Sequence, residues 1–168
     1  VVFTLGSIVA HFEPDFYREA CEASNRLHRR AILLTGCNAT RISGSSPNVL
    51  AVDYARLHEI LPRSIAVVHA GGIGTCGEAL RAGIPSVIIP FSFDQPDNAQ
   101  RMKRLGVAEI LSRRSIKAAA LTGKLEHILN DPSYTIRAKN FAKQINSPSS
   151  MDVVLDKMES VRARVEWS

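Results

Sequence analysis

The chain has 168 residues, of which 45% are hydrophobic and 22% are charged, which suits a single globular domain with its own core. Its net charge of +5 attracts anions in general, but the basic residues are dispersed and aromatic residues make up only 6%, which argues against a nucleic-acid-binding surface. No apolar run approaches the length of a transmembrane helix, so we expect no membrane-spanning segment.

Short apolar runs alternate with amphipathic segments along the chain. The apolar runs are predicted as strands near Val1–Leu5, Ala31–Thr35, Val49–Val52, Ile65–His69, Ser86–Ile89 and Ala108–Ile110. Helices are predicted near Asp15–His28, Leu57–Leu61, Thr75–Ala82, Gln95–Leu105, Ile116–Asn130, Pro132–Asn146 and Met151–Val165. This alternation is typical of a parallel sheet with helices on both faces, so we expect an α/β protein with a Rossmann-like, doubly wound sheet of about six strands.

The cysteines and the metal-binding residue types suggest a protein without metal. Cys21, Cys37 and Cys76 are an odd number without CxxC spacing, which favours reduced thiols and a cytoplasmic location. The sequence has neither a His/Cys cluster with zinc-ligand spacing nor an Asp-x-Asp element. We therefore expect no metal and no other cofactor.

The most informative segment runs from His69 to Glu78 and reads His-Ala-Gly-Gly-Ile-Gly-Thr-Cys-Gly-Glu. The apolar run Ile65–Val68 precedes it, and the helical pattern Glu78–Ala82 follows it. A strand, a glycine loop and a helix in this order typically bind phosphate, because glycine lets the main chain approach a ligand and the first helical turn presents unpaired N–H groups. We expect His69 at the mouth of the loop, where its ring can donate to a phosphate oxygen. A glycine-rich turn without a ligand is the alternative.

Two familiar glycine motifs do not fit this loop. A Walker A loop ends in Gly-Lys-Ser/Thr, whereas Gly74 and Thr75 are followed by Cys76. A dinucleotide fingerprint follows the first strand, but the first predicted strand ends in Gly6-Ser7 with no second glycine at the required spacing. Nicotinamide chemistry is therefore not expected.

The residues after the loop extend the pattern. The loop continues as Glu-Ala-Leu-x-Ala-Gly-x-Pro at residues 78–85, and Pro-x-x-x-Asp-Gln-Pro-x-Asn-Ala follows at residues 90–99. This ordered signature of about forty residues resembles the UDP-glycosyltransferase superfamily, whose enzymes have two Rossmann-like halves in the GT-B architecture. The opening Val2–Ser7 is similar to the start of the half that binds the nucleotide sugar in bacterial members.

The resemblance implies roles in holding a nucleotide sugar. The residues implied at the diphosphate are His69, Gly71, Gly72, Gly74 and Thr75, with Gly6 and Ser7 close by. Glu78 would bond the ribose hydroxyls, and Asp94 and Gln95 would contact hydroxyls of the transferred sugar. The nucleobase would pack near Tyr54, where Arg56 replaces the usual proline and Leu57 replaces the glutamine of plant members, so the identity of the base stays open.

The resemblance therefore predicts the C-terminal half of an inverting glycosyltransferase. Residues 1–168 would form one domain that binds the nucleotide sugar, and the N-terminal acceptor-binding half would lie outside this chain. The intact enzyme would move a hexose from a UDP- or dTDP-sugar to an acceptor hydroxyl. A base on the other half would take the hydroxyl proton, while His69 would stabilise the leaving diphosphate. This half alone would be inactive.

Two other functions remain open from the sequence. One is a non-catalytic subunit that binds a nucleotide sugar and needs a separate partner chain. The other is a nucleotide-sugar epimerase, which shares the architecture. The segment Asp94–Asn98 favours sugar transfer over epimerisation.

Overall fold

A computed structural model describes residues 1–6, 14–36, 46–146 and 149–162. The strands in these residues are β1 Val2–Thr4, β2 Ala31–Leu34, β3 Val49–Val52, β4 Val67–His69, β5 Ser86–Ile88 and β6 Ala108–Ile110. The α-helices are α1 Pro14–Arg26, α2 Leu57–Ile60, α3 Ile73–Ala82, α4 Gln95–Arg104, α5 Ala118–Asn130, α6 Pro132–Ile145 and α7 Ser149–Arg162.

The six strands form one parallel sheet in the order β3-β2-β1-β4-β5-β6. β2 and β3 build outward on one side of β1, and β4, β5 and β6 build outward on the other side. Because crossovers between parallel strands are right-handed, this reversal puts helices on both faces of the sheet. The predicted α/β class, with a Rossmann-like sheet of about six strands, is confirmed.

Helices bury both faces of the sheet and so fix the positions of the strand ends. On one face, Phe3 and Val68 pack in a cluster with side chains of α1 and α5. On the other face, Val67 packs with Ala79 of α3, and Ile88 packs with side chains of α3 and α4. Burying one such side chain contributes about 1.5–3 kcal/mol. The strand ends at which the loops after β4 and β5 begin are therefore held in place by packing.

The helix after the glycine loop begins earlier than the sequence predicts. It starts at Ile73 rather than Thr75, because Gly72 is extended, with φ −59° and ψ 141°, and serves as the N-cap. Its end is as predicted, because Gly83 adopts a left-handed φ of 68° directly after Ala82. Thr75 therefore lies within the first turn of α3.

Two further findings concern the sequence-based expectations, and a third concerns α7. Among the described residues, no helix is both long and apolar enough to cross a membrane. Cys21 and Cys76 are buried and free of disulfide bonds, whereas Cys37 lies outside the described residues. On α7, the side chains of Val154 and Met158 are exposed to solvent.

Candidate functional site

The strand order reverses between β1 and β4, which are neighbours at the centre of the sheet. In open parallel sheets, ligands bind outside the carboxyl ends of the strands at such a switch point. Gly6 follows β1, His69 ends β4, and β5 leads towards Asp94 and Gln95. The fold therefore brings these predicted residues to one part of the sheet edge. Tyr54 follows β3, which lies three strand positions from β4, or about 14 Å.

The turn between β4 and α3 consists of residues with little or no side chain, Ala70, Gly71 and Gly72. Gly71 has a φ of +93°, and a Cβ there would lie 2.8 Å from Ile88 Cγ2 and 3.2 Å from the Gln95 carbonyl oxygen. The first helical bond runs from Cys76 N to Gly72 O at 3.0 Å, so the amides of residues 73–75 have no acceptor within the helix. A Cβ added at Gly72 would meet nothing within 4 Å, and the same is true at Gly74. The N-terminus of α3 therefore has open space beside it.

His69 lies beneath this turn rather than at its mouth, where the sequence analysis expects it. Its side chain is on the same face of β4 as Val67, the face that α3 covers, and the residue is only 1% exposed. Its Nδ1 accepts a hydrogen bond of 3.1 Å from the Gly71 N–H. Its Nε2 is buried and finds no hydrogen-bond partner among the described residues.

The protonation of His69 follows from this environment. Burial lowers the pKa of the imidazole to about 4, so the ring is neutral at pH 7. Because Nδ1 accepts from Gly71, the single ring proton resides on Nε2. A buried N–H without an acceptor costs about 1–3 kcal/mol. The ring therefore holds a hydrogen-bond donor that has no acceptor in the described part of the chain.

Acidification is expected to destabilise the fold through His69. Its pKa is about 4 in the folded chain, against 6.5 for an unperturbed histidine, so the unfolded chain binds more protons between these two pH values. The free energy of unfolding should therefore fall as the pH drops from 6.5 towards 4, by about 2 kcal/mol at pH 5. Urea unfolding at pH 7 and pH 5 measures this loss. His69→Asn should reduce it, and an equally large loss in that variant would contradict the assignment.

Thr75 and Glu78 lie one turn apart on α3 and therefore on one face of the helix. Glu78 Oε1 accepts a hydrogen bond of 3.2 Å from Arg81, a solvent-exposed pair of the kind worth about 0–1 kcal/mol. Such a weak pair leaves the Glu78 carboxylate available to a ligand. Cys76, on the same turn, is buried, and burial raises the pKa of its thiol to about 11, so it is neutral and unreactive.

The segment after β5 is held by its own side chains. Gln95 Oε1 accepts hydrogen bonds from the main-chain N–H groups of Phe91, at 2.9 Å, and Ser92, at 3.2 Å. Asp94 Oδ2 accepts a hydrogen bond of 2.7 Å from Asn98 Nδ2. Gln95 therefore shapes the loop with its oxygen, which leaves its amide nitrogen as the group that could donate to a ligand.

Two residues of this segment were not singled out from the sequence. Asn98 is part of the Asp-Gln-Pro-x-Asn-Ala signature, but the sequence assigns it no contact. Besides Asp94, it contacts Gly71, and a contact between residues 27 positions apart cannot be derived from a local pattern. Phe93 has a left-handed φ of 57° and is 87% exposed. Its left-handed backbone could not be foreseen, because such a conformation is rare for a bulky residue.

The remaining predicted site residues lie on the other side of the switch point. Gly6 has a φ of +74°, and its N–H donates to Thr4 Oγ1 at 3.2 Å. Ser7 lies outside the described residues. Tyr54 is 80% exposed, so its ring is free to contact a ligand or another part of a larger protein.

Two pockets in the described residues lie away from the candidate site. These open pockets, of about 700 and 490 Å³, lie at the amino ends of the strands, and both are lined by Arg29 and Ile65. Neither is lined by a residue of the glycine loop or of the Phe91–Gln95 segment. The candidate site therefore lies outside both of these pockets.

Comparison with known proteins identifies the family. The model of the erythromycin biosynthesis protein CIII-like C-terminal domain matches residues 29–160 of this chain. The chain belongs to this family. The chain is 33% identical over 146 residues to O-mycaminosyltylonolide 6-deoxyallosyltransferase of Streptomyces fradiae. The alignment covers 86% of the chain but only 34% of that relative, so the chain spans about a third of its length.

Solved structures share the fold of this chain. The calicheamicin glycosyltransferase CalG4 matches 97% of this chain with a TM-score of 0.87, at 23% identity and over 43% of its own length. The glycosyltransferase VinC in complex with dTDP matches 87% of this chain with a TM-score of 0.71, at 26% identity and over 37% of its own length. The sequence resemblance to the C-terminal half of GT-B glycosyltransferases is thus confirmed.

Proposed function

We propose that this domain binds the nucleotide sugar of a glycosyltransferase, and that the complete enzyme moves a hexose from a UDP- or dTDP-sugar to an acceptor hydroxyl with inversion. The observation that carries the proposal is the buried, unpaired Nε2 donor of His69 beneath an open glycine turn. An unpaired buried donor is costly for the free protein, and a ligand acceptor removes that cost.

The diphosphate is the part of the ligand that this turn suits best. The amides of residues 73–75 and the positive end of the α3 dipole favour an anion, and the bare main chain at Gly72 and Gly74 allows close approach. The Nε2–H of His69 is the further, neutral donor that we propose for the diphosphate. A hydrogen bond to a charged group contributes about 1.5–3 kcal/mol, so a few such contacts account for useful affinity without a metal ion.

The proposed nucleoside contacts then lie on α3 and after β3, and the proposed sugar contacts lie after β5. Glu78, on the face of α3 next to Thr75, is the proposed acceptor for the ribose hydroxyls, and the exposed ring of Tyr54 lies further along the β3 side. Asp94 and Gln95 lie on the β5 side and are the proposed partners of the sugar hydroxyls. The strand order thus supports a ligand laid across the sheet edge.

The proposed chemistry places leaving-group stabilisation on this domain. When the acceptor oxygen bonds to the anomeric carbon, the bond from that carbon to the diphosphate breaks and negative charge grows on the leaving oxygen. Fixed N–H groups at that position stabilise the charge as it develops. The acceptor proton would pass to a base outside this chain. The domain alone is expected to bind the nucleotide sugar without transferring the sugar.

Calorimetric titration with dTDP and with UDP tests the proposal. We expect weak binding of at least one of them, because the other half of such an enzyme closes over the ligand. The complex of VinC with dTDP supports dTDP as the first choice. Thymidine and uridine are the controls, since they lack the diphosphate and should bind far more weakly. A folded sample that gives no heat with either diphosphate at millimolar concentration would refute the binding claim.

A further inference from the structure

A chain of hydrogen bonds links the two parts of the candidate site. Nδ1 of His69 accepts from the N–H of Gly71 at 3.1 Å, and the carbonyl of Gly71 accepts from Asn98 Nδ2 at 3.0 Å. The same Nδ2 donates to Asp94 Oδ2 at 2.7 Å. The chain therefore runs from the ring proposed at the diphosphate to the carboxylate proposed at the sugar.

Asn98 is the central member of this chain. It is buried, at 9% exposure, on the first part of α4. Its amide nitrogen carries two hydrogens, which matches its two acceptors on Gly71 and Asp94. An aspartate has no hydrogen to give at neutral pH, and an apolar side chain has no donor at all. The position therefore requires the chemistry of an amide.

We propose that Asn98 is a positioning residue that couples the diphosphate-binding turn to Asp94, an inference that rests on the proposed function. By holding the Gly71 carbonyl, it fixes the orientation of the residue whose N–H sets the proton of His69 on Nε2. By holding Asp94 Oδ2, it orients the carboxylate so that Oδ1 can accept from a sugar hydroxyl. Asn98 itself touches neither ligand group.

A purely structural role for Asn98 predicts a different result. If it only anchored α4, its removal would lower stability and would weaken the binding of every ligand by the same factor. The coupling predicts two specific losses. The His69 ring should lose its single tautomer, and the gain in affinity that a sugar adds to the diphosphate should disappear.

The test compares Asn98→Ala and Asn98→Asp with Gln100→Glu. Gln100 is exposed on the same helix, so its variant adds the same charge as Asn98→Asp without touching the turn. Calorimetry measures the affinities for dTDP and dTDP-glucose, and for UDP and UDP-glucose. We expect both Asn98 variants to bind the diphosphate about tenfold more weakly and to lose the extra affinity for the sugar conjugate, while Gln100→Glu keeps it.

The nitrogen-15 NMR shifts of the His69 ring provide a readout that needs no ligand. The wild-type ring should show a protonated Nε2 and an unprotonated Nδ1, and Asn98→Ala should shift both signals towards a mixture of tautomers. Asp94→Ala is the second variant in case Asn98→Ala does not fold, because Asp94 is exposed and enters the same chain from its other end. It should move the signals in the same direction.

The outcomes distinguish a failure of the proposed nucleotide binding from a failure of the proposed coupling through Asn98. A wild-type chain that binds no nucleotide refutes the proposed function, while the ring shifts still decide whether Asn98 governs His69. Ring shifts that stay unchanged in both Asn98→Ala and Asp94→Ala overturn the coupling. So does an Asn98→Ala variant that binds nucleotide and keeps the wild-type ratio of affinities for the sugar conjugate and the diphosphate.

Discussion

Gly71→Ala is expected to lower the free energy of unfolding by about 2–4 kcal/mol. The φ of +93° at this position is one that residues with a Cβ rarely adopt. The new methyl group would also lie 2.8 Å from Ile88 Cγ2 and 3.2 Å from the Gln95 carbonyl oxygen, and both neighbours are held in place. Ile88 lies in the packed sheet, and Gln95 begins α4. Urea unfolding followed by circular dichroism measures the loss.

Gly74→Ala is the matched control for this substitution. A Cβ at Gly74 meets nothing within 4 Å, and the residue lies within α3, where alanine is favoured over glycine by up to about 1 kcal/mol. The control should therefore be as stable as the wild type or more so. Its methyl group would project into the space proposed for the diphosphate, so dTDP binding should weaken. Equal stability of both variants would contradict the tight contact at Gly71.

Much of the fold follows from local pattern in the sequence. Each predicted strand is a short apolar run that becomes a parallel strand, and Gly83 ends α3 where the sequence predicts it. These features depend on residues close together in the chain, so the pattern is sufficient. The order of the strands in the sheet could not be predicted in this way, because it depends on contacts between distant segments that no local pattern encodes.

The candidate site could be predicted in part for the same reason. The glycine loop was found from its residue pattern and the Asp94–Gln95 segment from the family resemblance, and the fold brings them to neighbouring strands. The burial of His69 was missed, because a strand that is covered on both faces gives no alternation of polar and apolar residues. The role of Asn98 was missed because its partner, Gly71, is distant in sequence.

Two substitutions at His69 should separate the roles of its ring nitrogens. In His69→Asn, the side-chain oxygen can replace Nδ1 as acceptor for the Gly71 N–H, but nothing replaces Nε2. We therefore expect a folded protein that binds dTDP with an affinity lower by about 1–3 kcal/mol. In His69→Gln, the terminal amide can reach the position of Nε2, so more of the affinity should remain.

The stabilities of these variants should follow the opposite order. His69→Gln leaves the buried N–H of Gly71 without its acceptor, which costs about 1–3 kcal/mol. His69→Asn keeps that bond. Both variants put a buried side-chain amide in place of the imidazole with its Nε2 donor, so the Gly71 hydrogen bond decides the difference in stability between them. Calorimetry and urea unfolding on both variants would therefore rank them in opposite ways. If both variants bound dTDP as tightly as the wild type, the ring would not contact the diphosphate, and its unpaired nitrogen would need another explanation.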